Sequence, residues 1–495
     1  MRHPILITTS DIRRCHPQGL NCDTDVDYAN FANKLVRLLQ LMPDLNVWDA
    51  TYLKTIALKI TMYFEDLVAE VGLWKSFTDK HAQLYGHPLP FFSWVEDYNV
   101  DNPRPEDVLY LIWDALLELQ EERIPNPMNP SLKDAAMSIT SLLQAEFDDI
   151  PINEQLYDFF HEARFSDDFY QLRQVLKWVY FDCYITSGRF TDYYYEQKQD
   201  FYRDTLGTGP RDTIYGAECL MPFNQKIGPL ALEPKEWLAQ FLRTAGRTRE
   251  AADVEAVEST EVEPFLLKHF DADAIELEDW QERTFLVRRT EMFKVSDALL
   301  SRTDITGCIG SFARYHDEWF LNGVNSWGDI IKPMQQYKEH QQQMKSVGIP
   351  NYQHLMELSG GSPLFYFASK EELYKFQSAE VGMSEDSFDL PTKARIKNIV
   401  LFISEERGSF GYMINNAEVL CDPRNPFYNK KIAEREAFNF ISLVEDNDSQ
   451  LIRYAVNHGL LPDARMNSSL GEEHGHALVQ QNLDFLARTL RRQEY

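Results

Sequence analysis

Residues Thr244–Pro264 read TAGRTREAADVEAVESTEVEP. The stretch is poor in large apolar residues and rich in Ala, Glu, Thr and Arg. A segment that cannot bury much apolar surface marks a boundary between packed regions. The sequence on either side of it carries different periodicities.

Before it, apolar residues recur at helical spacing. Phe31, Leu35, Leu38, Leu39 and Met42 form one stripe, with Asp23, Thr24 or Asp25 as its cap and Pro43 as its stop. Tyr52, Ile56, Ile60, Tyr63, Phe64, Leu67, Val68 and Val71 form a second. Pro105-Glu106-Asp107 opens a third helix, with proline and acids in the first turn. Another helix follows the proline-studded loop from Pro125 to Pro130. A long one starts at Asp167 or Asp168 and runs toward Tyr202, bent or broken at Gly188.

After it, the pattern shortens to strands. Thr284–Val287, Cys308–Tyr315 and Trp319–Leu321 read as strands. His316-Asp317-Glu318 reads as a hairpin tip, and Asn322-Gly323 as a turn. Leu364–Phe367 and the pair Ile399–Ser404 and Phe410–Ile414 read as further strands. Helical spacing returns at Lys430–Leu443, Ser449–Val456 and His476–Leu490. The expected class is α+β: a helical N-terminal half, then a mixed half with short antiparallel strands and flanking helices. The expected domains are a helical one over 1–245, an acidic linker over 246–264, and an α+β domain with a small antiparallel sheet over 265–495.

The chain has 495 residues and a net charge of −28. Residues 1–250 carry 24 basic and 38 acidic side chains, and residues 251–495 carry 25 and 39, so each half is −14. Two belts are denser: 16 acids against 4 bases over 101–168, and 12 against one over 250–282. They read as solvated helix faces and a charged linker. A surface this negative repels phosphate backbones and anionic membranes. The expected partner is a protein with a basic surface. Neither nucleic acid nor membrane is expected, and the oligomeric state is left open. The basic residues Lys393, Arg395 and Lys397 before a strand read as guards of an exposed edge.

Six dispersed cysteines, without a CxxC pair, fit reduced thiols in a cytoplasm. The apolar run Ile5–Ile7 is too short for a signal-peptide core. No apolar stretch approaches the roughly 18–20 residues a membrane helix requires.

Known chemical motifs fail in specific ways. Asp23-x-Asp25-x-Asp27 lacks the glycine and glutamate of a calcium loop, with Tyr28 and Lys34 in their places. Cys15, His16 and Cys22 offer three zinc-type ligands, with His3 the nearest fourth, and read as ordinary thiols and a loop histidine. His474 and His476 beside Glu472 and Glu473 are the densest ligand-type cluster. On a helix they point apart, so they are only candidate metal ligands. Ser362 precedes a strand, the wrong order for a nucleophile elbow. Leu206-Gly207-Thr208-Gly209-Pro210 lacks the lysine of a phosphate loop. The aromatic run Trp178 to Tyr202 reads as core packing, and is the stretch to examine for a pocket.

Several segments have a family look: LYGHPLPFFSWVEDY (84–98), GSFARYHDEWFLNG (310–323), and IVLFISEERGSFGYMINNAEV (399–419) followed by DPRNPFYNKK (422–431). Together with the helical first half they resemble an uncharacterised protein family of Bacteroidetes. The resemblance implies a bacterial cytoplasmic protein and no particular reaction.

The expected function is that of a non-catalytic protein-interaction module without a cofactor. The alternative is an enzyme whose site is assembled from distant residues where the helical and mixed regions meet. Its candidate groups are His161, Asp182, His269, His316 and Glu318.

Overall fold

The computed structural model describes residues 5–17, 20–42, 50–95, 97–119, 124–188, 210–290, 295–346, 351–382, 396–404, 409–442, 448–492 and 495. The chain forms two compact units, Met1–Tyr337 and Lys338–Tyr495. The α+β class holds: helices fill the first half, and strands with flanking helices follow.

The first unit opens with helices α1 (Thr9–Cys15), α2 (Asp25–Leu41), α3 (Ala50–Val68), α4 (Leu73–Tyr85), α5 (Pro105–Leu119), α6 (Pro130–Glu146), α7 (Glu154–His161), α8 (Phe169–Phe181), α9 (Pro210–Asn224), α10 (Pro234–Thr244) and α11 (Thr248–Glu255). Their ends follow capping chemistry. Thr8 and Asp11 form a reciprocal capping box on α1, and Asn129, Asn153 and Asp168 each accept an amide hydrogen bond from the first turn of α6, α7 and α8. The turn from α3 to α4 is built on one carboxylate. Asp66 accepts from the amides of Gly72 (2.8 Å), Leu73 (3.0 Å) and Trp74 (2.6 Å) and from the Tyr184 hydroxyl (2.7 Å). Burial raises its pKa, and these four donors oppose that rise.

Six strands follow: β1 (Glu258–Ser259), β2 (Glu263–Phe270), β3 (Ala274–Glu278), β4 (Thr284–Arg288), β5 (Gly307–Tyr315) and β6 (Glu318–Gly328). β2, β3 and β4 form an antiparallel meander, and β5 pairs with both β2 and β6. A parallel contact between Val287 and Trp319 joins β4 to β6 and closes a five-stranded barrel, with β1 added alongside β5. Phe265, Ile275, Leu277, Phe285, Val287, Leu300, Cys308, Phe312 and Leu321 fill it. Closure leaves these strands without a free edge for intermolecular pairing.

The segment expected as a linker, 246–264, lies inside this unit. It holds α11, with Ala251 and Val254 buried, then β1 and the start of β2. Its small apolar residues suffice because α10 and the barrel cover them. The acidic belt over 250–282 hides three strands, β1 to β3; on β3, Glu276 and Glu278 alternate with buried Ile275 and Leu277. The hairpin tip is as expected: His316 and Asp317 adopt left-handed φ angles of 47° and 63°. Asn322-Gly323 is not a turn. β6 runs through it, and its pairing with β5 shifts register between Ile309 and Ser311, so the Asn-Gly pair lies in an irregular stretch of the ladder. α8 stops at Phe181, short of the expected Gly188. Residues 190–202 of the aromatic run, most of the 206–210 glycine loop, Lys393 and Arg395 lie outside the described residues.

In the second unit β7 (Leu364–Phe367), β8 (Ile399–Ser404) and β9 (Ser409–Ile414) form an antiparallel sheet in that order. Helices Lys430–Ser442, Ser449–Asn457, Glu472–Gln481 and Leu483–Arg491 complete it. The expected helix over His476–Leu490 is two helices, parted at Asn482. Arg491 is fully buried. It donates to the Ile441 carbonyl (3.0 Å) and the Ser449 hydroxyl (2.7 Å), tying three helices together.

Gly307 sits where β5 passes close against β2. A Cβ there would lie 2.0 Å from the Phe265 carbonyl oxygen. Gly307→Ala is expected to destabilise the barrel by about 3 kcal/mol, the upper end of ordinary overpacking. Hydrogen exchange of β2 and β5 amides during mild denaturation measures it.

Candidate functional site

Two helices of the first unit carry charges where apolar side chains would be expected. On α5, Asp107, Asp114 and Glu118 are spaced by seven and four residues, which places them on one face of a helix. On α3, Lys59, Tyr63 and Asp66 are spaced by four and three, again one face. All of these carboxylates and Lys59 are buried. The two faces meet. Tyr63 donates to Asp107 Oδ2 (2.6 Å), while Lys59 Nζ donates to Asp114 and to Glu118 Oε1 (2.8 Å).

The electrostatics of this seam have distinct causes. Burial works against the charge on Lys59, but Asp114 and Glu118 outweigh it and hold the ammonium above its ordinary pKa. Asp107 has no cation beside it in the same way. Burial pushes its carboxyl up to about 7, although hydrogen bonds from Tyr63 and Tyr98 pull it down.

The Lys59 end of the seam lines a cavity of about 530 Å³, within the range of small-molecule sites. Among the described residues six charged groups line it: Asp11, Arg14, Lys54, Lys59, Glu118 and Asp182. Lys54 bonds Asp11 at 2.7 Å, and Arg14 pairs with Asp182 at 3.4 Å. Among the described lining residues three cations balance three anions, in a chain of net charge −28. Leu58, Met62, Phe181 and Tyr184 supply apolar walls. Gly188 also lines it, where a Cβ would lie 2.3 Å from the Glu118 carboxylate. The one thiol in the lining, Cys15, is pushed up to about 12, chiefly by burial.

The residues singled out from sequence scatter. Asp182 lines this cavity. His316 and Glu318 line another, of about 720 Å³, together with the start of α8 and the end of β4. There Glu318 is engaged by Arg288 at 2.6 Å, and both are about half exposed. His161 stacks on Tyr157 with ring centroids 4.0 Å apart. His269 is exposed on β2. The structure therefore brings only His316 and Glu318 together among the five. His474 and His476 do not converge: His474 meets Ser468 Oγ (3.0 Å), whereas His476 bonds the Pro462 carbonyl (2.8 Å). In the aromatic run, Trp178 and Tyr180 are core, while Phe181 and Tyr184 face the cavity. Ser362 accepts from the Arg424 guanidinium.

One metal-type group exists among the described residues: His16, Cys22 and Asp25. All three are buried, His16 in the bend that follows α1. Around them, His16 Nε2 lies 2.8 Å from Glu65 Oε2, and Asn153 donates to Glu65 Oε1 at 2.7 Å. Burial disfavours a charged ring, but Glu65 and Cys22 outweigh it and raise His16 to about 10. Cys15 is not part of the group.

Sequence reasoning missed the α3–α5 seam. The signal was present in the spacing of Asp107, Asp114 and Glu118, whose first member was read only as a first-turn acid.

The model of the family described as "Protein of unknown function (DUF3843)" matches residues 8–293 and 314–492, so the chain belongs to that family. No curated protein matches the chain. No solved structure matches it either.

Two consequences of the seam can be measured. Lys59→Met strands two buried carboxylates and is expected to destabilise the first unit by about 3–5 kcal/mol in chemical denaturation. Asp107 has its folded pKa raised from 3.8 to about 7. Its stabilising contribution is full in acid, falls as pH rises toward 7, and is lost above it. The stability difference between wild type and Asp107→Asn is therefore expected to shrink from pH 5 to pH 8, read as urea midpoints.

Proposed function

We propose that this member of the DUF3843 family is a binding protein for a small zwitterionic or strongly polar organic molecule, held in the cavity lined by α1, α3 and the end of α8. The observation that carries the reading is the balanced charge of that cavity. Lys59 and Glu118 are fixed by buried partners, and Lys54 and Arg14 stand with their carboxylates at the rim. Such a lining presents ordered donors and acceptors of both signs at little reorganisation cost. Phe181, Tyr184 and Met62 add apolar contact for a carbon skeleton. The chemistry favours binding over catalysis. The Cys15 thiol stays protonated, and Lys59 stays an ammonium, so neither is an activated nucleophile.

The test is a thermal-shift panel of amino acids and other zwitterions on the full chain, with native mass spectrometry for co-purified adducts. Wild type is expected to bind at least one compound. Thr55→Trp, which fills the cavity from α3, is expected to lose that binding while keeping its helical circular dichroism. Binding that Thr55→Trp leaves unchanged, or no binding at all, overturns the reading.

A second reading is supported by the acidity shared between the two halves. A protein with a basic surface would be steered toward either half by long-range attraction. In this reading the chain acts in a bacterial cytoplasm, without nucleic acid or membrane partners. Among the described residues no helix is long and apolar enough to cross a membrane. Capture of a basic partner at low salt, lost steeply as salt rises, is the expected outcome of a pull-down.

A further inference from the structure

We propose that His16, Cys22 and Asp25 form a site for a zinc-like divalent cation in the first unit. The three side chains come from the end of α1, the connection that follows, and the first residue of α2. They are 3%, 4% and 2% exposed. Their ligand atoms lie within 4.8 Å of one another.

The geometry at the centre of the group is that of ligands more than of hydrogen-bond partners. His16 Nδ1 and Asp25 Oδ1 are 3.5 Å apart, and neither has a hydrogen bond of ordinary geometry. Buried polar atoms left in this way are uncommon. Tetrahedral zinc with bonds of about 2.0–2.2 Å to nitrogen and oxygen holds those two atoms about 3.4 Å apart. Sulfur, imidazole nitrogen and one carboxylate oxygen form a donor set suited to zinc, and unsuited to calcium or magnesium.

The surroundings support each ligand. Glu65 sits 2.8 Å from His16 Nε2, where it receives the ring N–H and leaves the Nδ1 lone pair directed at the group. This carboxylate–histidine arrangement is the usual outer shell of a metal-bound imidazole. Asn153 fixes the other oxygen of Glu65. Arg13 engages Asp25 Oδ2, leaving Oδ1 for the cation. The charges also close. A divalent cation and Arg13 supply +3, and the Cys22 thiolate, Asp25 and Glu65 supply −3, so loading adds no net buried charge. Three protein ligands leave a fourth position for water or for a carboxylate that swings in.

Zinc-type ligation takes a thiolate and a neutral imidazole, so binding is expected to release protons. The experiment uses the full chain, treated with chelator and then titrated with Zn²⁺ or Co²⁺. One equivalent is expected to bind with release of protons near neutral pH. Co²⁺ is expected to produce thiolate-to-metal charge-transfer absorption. Cys22→Ser is expected to abolish that absorption and to weaken Zn²⁺ by more than 100-fold. Glu65→Gln is expected to retain the absorption and to weaken Zn²⁺ by about 10–100-fold, as loss of an outer-shell partner does. The proposal is overturned if no equivalent binds, if binding releases no protons, or if the absorption survives Cys22→Ser. Should Cys22→Ser fail to fold, the wild-type proton count and Glu65→Gln decide the matter.

Discussion

A buried ammonium, Lys59, fixes the register of α3 against α5. Its two acceptors, Asp114 and Glu118, sit four residues apart on one helix face, so only one sliding position satisfies both. Burying three charges is costly, and an apolar replacement of the whole triad could be equally stable. Its value is specificity: α3 and α5 are otherwise covered in Leu, Ile, Tyr and Trp side chains that would pack in several registers. The Tyr63–Asp107 bond and the amide cluster on Asp66 extend the same constraint to the α3–α4 turn. The cavity follows from it, because the open end of the Lys59 triad is one of its walls.

This arrangement also explains how a chain of −28 balances the charges of the described residues that line its cavity. Most of its acids are exposed and repel one another across the surface. Among the buried ones, Asp114 and Glu118 are matched by Lys59, Asp107 by tyrosine hydroxyls, Asp66 by backbone amides and Glu65 by His16. The exposed set governs encounter with partners over distances set by salt. The buried set governs shape, and it is indifferent to salt.

Much of the fold was legible in the sequence because periodicity reports burial directly. The stripes beginning at Phe31 and Tyr52, and the strands at Thr284, Cys308, Leu364 and Ile399, stand where their spacing placed them. What was illegible shares one cause: a residue type whose usual meaning was overridden by its neighbours. Glu276 and Glu278 look like linker residues until Ile275 and Leu277 are seen to alternate with them. Asn322-Gly323 looks like a turn, yet stays in the ladder because β5 continues beside it. Asp107 looks like a helix-start acid, although Tyr63 and Tyr98 enclose it. Of the residues lining the cavity, Cys15, Phe181, Asp182, Tyr184 and Gly188 stand out in the sequence, only Asp182 of them as a catalytic candidate. Lys54, Lys59, Glu118 and the partnership of His16 with Glu65 depend on pairings between residues 43–59 positions apart, and no local spacing encodes those.

The closed barrel carries a kinetic consequence. Glu263 on β2 pairs with Gly310 on β5, 47 residues onward, and the seam between β4 and β6 forms only after β5 has been threaded between β2 and β6. Loop-closure entropy is therefore spent before most of the ladder can reward it. The β2–β4 meander, complete by Arg288, must wait with both outer edges exposed while the rest of the barrel is synthesised. Its acids face outward on β3, so like-charge repulsion between waiting chains protects these edges during that interval. The acidity that sets how the folded protein meets its partners thus also guards the barrel before it exists.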